Sequence, residues 1–146
     1  MGKVLYTIGY EEQDIVTFTN KLKKEGIEYL IDVREQPLSR KAGFSKNSLS
    51  QILEKRNIKY VHFKELGSPK DIREKFKADL DSEYFFNQIS HYLEGQKDAI
   101  EKAYAYLAEG ICCLMCFERF HFDCHRKVVA EKIKERDGNG LQIKHI

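Results

Sequence analysis

Apolar positions alternate between short runs and longer stretches with helical spacing. Lys3–Ile8 (KVLYTI) predicts a strand ending at Gly9. Asp14–Glu25 sets Ile15, Val16, Phe18, Thr19 and Leu22 on one helical face, with Gly26 as the stop. Glu28–Val33 (EYLIDV) is a second apolar run, so the chain opens with a strand–helix–strand unit, for which a right-handed parallel crossover is the rule. Arg34–Phe44, with Pro37, Ser39 and Gly43, reads as an irregular loop. Ser45 is placed to cap a helix through Arg56 that turns Leu49, Ile52 and Leu53 inward. Ile58–Phe63 is the third strand and Glu65–Asp71 a loop. Ile72–Leu107 reads as helical in two or three pieces, Gly95 dividing Tyr84–Glu94 from Lys97–Glu109 and Gly110 closing the last. Ile111–Cys116 (ICCLMC) is apolar on both faces, as in a strand covered by helices on either side. After a loop at Phe117–Phe122, Asp123 is placed to cap a helix to about Glu135. Gly138 and Gly140 make a turn, and Leu141–Ile146 is a last strand at an edge.

This order predicts an α/β fold: one three-layer α-β-α domain over residues 1–146, with a mostly parallel sheet of about five strands and an added helical segment. The 146 residues are enough for one buried core. A 42% hydrophobic composition excludes a disordered chain, and no apolar run approaches the roughly 20 residues of a membrane helix. Residues 1–8 carry no cleavable signal pattern, so a cytoplasmic location is expected. The four cysteines, 112, 113, 116 and 124, crowd into one segment rather than spreading as a secreted disulfide framework would, and are read as thiols. The net charge of +2 argues against a surface that is basic throughout. Its distribution is uneven: residues 34–64 carry +6, against −2 before them and −4 over 65–110. That block presents a local field to an anion, or is simply a solvated face.

Parallel sheets bind ligands at the carboxyl ends of their strands. There the sequence collects Tyr10 after the first strand, Asp32, Arg34, Ser39 and Arg40 after the second, His62 on the third, and Cys116, Glu118, Arg119 and His121 after the fourth. The segment Cys116–Arg126 (CFERFHFDCHR) leaves a buried strand and enters a helix whose first turn would hold Cys124, His125 and Arg126. A helix start favours anions and thiolates. Asp32 and Arg34 share one face of a strand end and pair with each other, or Arg34 joins Arg40 and Arg126 in an anion pocket. Cys112 and Cys113 are read as core, His62 as a rim residue, and the aromatics of Tyr84–Tyr106 as packing. Cys113 and Cys116 have C-x-x-C spacing. Residues three apart on a strand point to opposite faces, however, so zinc at Cys116, Cys124 and His121 or His125 is kept only as an alternative and no metal is assigned.

Together, T-I-G-Y at Thr7–Tyr10, D-V-R-x-x-P-x-S-R at Asp32–Arg40, Phe44, I-x-Y-x-H at Ile58–His62, Leu66–Gly67, C-F-E at Cys116–Glu118 and C-H-R at Cys124–Arg126 resemble the bacterial and archaeal domain-of-unknown-function family 488 over nearly the whole chain. The family pattern often has His where this chain has Tyr10. The resemblance implies a compact α/β domain and singles out these residues without implying an activity. In outline, the strand–Cys–helix order is also similar to rhodaneses and cysteine phosphatases, although ten positions separate Cys116 from Arg126.

The leading reading is an enzyme acting on a phosphate-containing substrate, a nucleotide or nucleic acid. Cys116 or Cys124 is its nucleophile or redox thiol, and Asp32 or Glu118 its acid or base. Tyr10, Arg34, Ser39, Arg40, His62, His125 and Arg126 bind the substrate. The alternatives are a non-catalytic nucleic-acid or nucleotide binding module, whose affinity would fall steeply with salt, and a zinc-stabilised structural domain, which metal analysis would reveal. No cofactor, substrate identity or oligomeric state follows from the sequence.

Overall fold

The computed structural model describes residues 3–119, 124–138 and 140–146. Five strands, β1 Val4–Gly9, β2 Tyr29–Asp32, β3 Lys59–His62, β4 Cys112–Cys116 and β5 Gln142–His145, form one sheet in the order β3-β2-β4-β1-β5. Every strand pairing is parallel, with Gly9 opposite Cys116 and Asp32 opposite both Met115 and His62. The helices are α1 Ile15–Lys24, α2 Lys46–Glu54, α3 Lys70–Asp79, α4 Ser82–Glu94, α5 Lys97–Tyr106 and α6 Arg126–Arg136. The three-layer expectation holds, and α3 to α5 are the added helical segment. Among the described residues no helix is long and apolar enough to cross a membrane.

Strand alternation divides the core in two. Ile8, Leu30, Cys113 and Met115 face Phe18, Leu22, Phe44, Leu49 and Leu53, the layer of α1 and α2. Leu5, Ile31, Val33, Leu114 and Cys116 face Ile89, Leu93, Ile100, Ala103, Val129 and Ile133, the layer of α4 to α6. All five residues of β4 are buried, which accounts for its uninterrupted apolar run. At about 25 cal/mol per Å2, each fully buried Leu or Ile contributes on the order of 2 kcal/mol.

Local chemistry sets the boundaries. Asp14 caps α1, accepting the Thr17 N–H at 2.7 Å. Ser45 stands at the start of α2 but makes no capping bond: its hydroxyl accepts from Ser39 N at 3.0 Å and donates to Ser39 O at 3.1 Å, closing the loop after β2. The helix expected from Asp123 begins at Arg126 with His125 in the cap position, and Asp123 lies outside the described residues.

Candidate functional site

From β1 the chain moves to β2 and β3 on one side, whereas β4 leads back across β1 to β5 on the other. The connections diverge between β2 and β4, and a crevice at the carboxyl ends of such a pair is where open α/β sheets bind ligands; beside it lie the exits of β1 and β4. Here the two exits stay joined beyond the sheet, Tyr10 N donating to Cys116 O at 3.2 Å and Glu11 N to Phe117 O at 2.7 Å. A Cβ on Gly9 would lie 1.6 Å from Glu118 O, so only glycine lets the segment after β4 cross this close.

On the α4–α6 side, Cys116 ends β4 and α6 brings up Cys124, His125 and Arg126. The sulphurs of Cys116 and Cys124 are joined as a disulfide. The expected thiols are therefore found at Cys112 and Cys113 and not at this pair, because α6 sets Cys124 directly over the end of β4. Burial pushes the Cys112 thiol up to about 12 and raises Cys113 as well, as befits inert core residues.

The Arg126 guanidinium is 1% exposed. Its Nη1 donates to Cys116 Sγ at 3.2 Å and to the Glu118 carbonyl, its Nε to Thr7 Oγ1 at 3.2 Å, and its Nη2 to Arg119 O at 3.2 Å. Its backbone N–H points at Cys124 Sγ, 3.4 Å away. Burial pulls this guanidinium down to about 10, which leaves it charged at neutral pH. Its nearby anion is Glu118, whose carboxyl burial raises and whose Oε2 lies 3.4 Å from Cys116 Sγ. His125 donates from Nε2 to Val33 O at 2.7 Å, leaving Nδ1 3.8 Å from Cys124 Sγ, and burial holds its pKa down at about 4.

On the α1–α2 side, the buried Asp32 carboxylate accepts from Arg34 Nε at 2.9 Å, Arg34 Nη2 at 2.7 Å, the Arg34 backbone N–H at 3.0 Å and the Tyr60 hydroxyl. Burial works against the Arg34 charge, but Asp32 outweighs it and raises the pKa. Burial and Asp32 raise Tyr60. Arg34 Nη1 also donates to Tyr10 OH at 3.2 Å, and Tyr10 stacks on Phe44 at 4.5 Å. His62 donates from Nε2 to Arg34 O at 2.7 Å.

The sheet thus separates two groups that the sequence reading merged into one anion pocket. Asp32, Arg34, Tyr10 and His62 are brought together on one side; Cys116, Glu118, Cys124, His125 and Arg126 on the other. Arg34 and Arg126 each spend most of their donors on protein acceptors, so neither stands as an open anion clamp. Arg40 is exposed and makes no hydrogen bond or ion pair among the described residues, while Ser39 is tied to Ser45. Arg119 pairs with Glu12 at 2.6 Å, and His121 lies outside the described residues.

Three contributors escaped the sequence reading. Thr7 and Tyr60 stand inside the quoted motifs, which give neither of them a role. The Arg73–Glu35 pair, at 2.9 Å, packs beside the buried Ser68, whose hydroxyl has no partner; no spacing signal links those positions. The groove lined by Tyr29, Asn57, Lys59, Tyr60 and Tyr106 runs along β3 and reaches the Asp32 group through Tyr60.

Residues 14–133 match the model of a family described as a domain of unknown function, DUF488. No curated protein and no solved structure matches the chain.

Proposed function

Because the chain belongs to the DUF488 family, whose description assigns no reaction, the site itself must carry the reading, and we propose a thiol-dependent enzyme acting at the switch point on a phosphate-containing substrate, a nucleotide or nucleic acid. The observation that carries it is the buried Arg126 guanidinium 3.2 Å from Cys116 Sγ. A buried cation requires a compensating anion, and after reduction of the pair the Cys116 thiolate supplies one. The adjacent charge lowers the thiol's pKa and makes it a nucleophile at neutral pH.

The roles follow from reach. Cys116 forms the bond to the substrate's electrophilic centre as the bond to the leaving group breaks. Glu118, whose carboxyl burial raises and whose oxygen lies 3.4 Å from the sulphur, is placed to protonate that leaving group. Arg126 positions and charges the thiolate rather than binding substrate. Asp32 positions Arg34 rather than exchanging protons, since its oxygens are taken up by Arg34 and Tyr60. Arg40, exposed on the loop after β2, is the arginine of the three whose donors are left for the phosphate.

The test reduces the protein with a phosphine and follows thiolate absorbance in the ultraviolet against pH. One thiol is expected to ionise at least one unit below the ordinary value of about 8.5, with the low midpoint lost in Cys116→Ser and kept in Cys112→Ser. In parallel, nucleotides and oligonucleotides are screened for turnover, which Cys116→Ser should reduce more than about 100-fold. A titration with no thiol below 8.5, or turnover unchanged in Cys116→Ser, overturns the reading. Salt-sensitive binding without turnover would replace it with the binding module.

A further inference from the structure

We infer that, once reduced, Cys116, Cys124 and His125 form a three-ligand site for a thiophilic divalent cation such as zinc. The two Sγ atoms and a ring nitrogen of His125 all lie within 4.8 Å of one another, and all three residues are buried. Two ligands on a tetrahedral zinc, one at Zn–S 2.3 Å and one at Zn–N 2.0–2.1 Å, stand about 3.6 Å apart; Cys124 Sγ and His125 Nδ1 stand 3.8 Å apart.

The imidazole is already in the right tautomer. Val33 O can only accept, so Nε2 carries the proton and Nδ1 presents its lone pair to the sulphurs. A carbonyl on the far nitrogen of a ligating histidine is the usual outer partner of a metal site. Each sulphur also receives an N–H, Cys116 from Arg126 Nη1 at 3.2 Å and Cys124 from the Arg126 backbone at 3.4 Å. Two thiolates cancel a dication, which leaves the charge of Arg126 beside the Glu118 carboxyl. Three protein ligands leave one position open, the arrangement of a catalytic rather than a structural zinc, with the Glu118 carboxyl beside Cys116.

A dithiol reductant gives two electrons and two protons to the Cys116–Cys124 disulfide, opening it to two thiols while its own two sulphurs join as a disulfide, and the cation then displaces two protons. The inference uses the same sulphurs as the proposed enzyme but does not rest on its substrate. A bound cation withholds the thiolate, so metal and thiol chemistry exclude each other.

The test uses the full chain, reduced with a phosphine, stripped by chelating resin and titrated with cobalt(II) without oxygen. One equivalent should bind, giving the intense visible bands of a tetrahedral ion and the near-ultraviolet charge-transfer bands of thiolate ligands. Zinc should bleach both. Cys116→Ser, Cys124→Ser and His125→Gln should each weaken binding at least 10-fold, whereas Cys112→Ser and Cys113→Ser should not; circular dichroism confirms that each variant is folded. Cobalt that stays octahedral, sub-stoichiometric binding, or affinity unchanged in His125→Gln overturns the site. The two proposals fail separately: a tetrahedral cobalt spectrum in a protein with no low-pKa thiol removes the enzyme and keeps the metal, and the converse result removes the metal alone.

Discussion

Removing the Asp32 carboxylate strands the Arg34 guanidinium. Arg34 is 7% exposed and Asp32 fully buried, and the carboxylate accepts from the guanidinium, the Arg34 backbone N–H and the Tyr60 hydroxyl. In Asp32→Ala two neutral hydroxyls, of Tyr10 and Tyr60, are left to the cation. Breaking a buried pair from one side costs about 3–5 kcal/mol, because it leaves an uncompensated charge out of water. For a chain of this size that is a fall in Tm of roughly 10 °C, or about 2 M in the urea midpoint. Replacing the whole group should be milder. In the combined variant Asp32→Leu, Arg34→Met and Tyr60→Phe, the backbone N–H of residue 34 remains as an orphan donor, so a loss of about 1–2 kcal/mol remains. Urea unfolding monitored by circular dichroism, with equal m-values required across the set, measures both. If Asp32→Ala lost less than about 1 kcal/mol, or if the combined variant lost as much as the single one, the pair would not be the anchor of the β2 exit.

His125 sets a pH dependence in the metal-free protein. Its folded pKa of about 4 lies below the ordinary 6.5, so between these values the unfolded chain binds the proton and the folded one does not. Stability from this group is complete above about pH 6.5 and is lost as pH falls toward 4, by about 3 kcal/mol in all. The difference in unfolding free energy between the parent and His125→Gln should trace that slope, and a flat difference would contradict it. Gly9→Ala drives a methyl into Glu118 O and must push the segment after β4 away from β1; a loss of about 2 kcal/mol or more by the same unfolding assay is expected, and a variant as stable as the parent would show that this crossing is not tight.

The parts of the fold that local chemistry specifies were legible. Asp14 and Gly26 bracket α1, Gly95 divides α4 from α5, and the doubly apolar run of β4 announces a central strand. The sheet order was not, since nothing in the chain records that β4 slips between β1 and β2. That insertion decides the site, because it makes the exits of β1 and β4 neighbours. Strand parity, in contrast, was available and underused. Asp32 shares a face with Leu30 while Cys116 shares one with Leu114, and these leucines lie in different core layers, so Arg34 and Cys116 could have been assigned to opposite sides. The burial of Arg126 was beyond sequence reasoning: an arginine at a helix start is ordinarily solvated, and only the crossing over Gly9 brings the carbonyls of Glu118 and Arg119 onto its donors.

The two polar groups meet at a single place in the backbone. Consecutive carbonyls at the β2 exit accept from two histidines: Val33 O from His125 on the α6 side and Arg34 O from His62 on β3, each at 2.7 Å. The residue between strand and loop is thereby held from both layers, and the Arg34 side chain is fixed at the same point by Asp32. Because the Val33 carbonyl dictates which His125 nitrogen faces the sulphurs, the Asp32–Arg34 pair and the Cys116–Cys124 centre are linked through one peptide unit. A loosened β2 exit would free the imidazole to turn, and the sulphur centre would lose its oriented nitrogen without any change at Cys116, Cys124 or His125. Asp32→Asn, which keeps the shape and removes the charge, is the variant in which that link is separated from gross unfolding. In the folded protein it should lower cobalt affinity although residue 32 touches none of the three ligands, and unchanged affinity there would show the two groups to be independent.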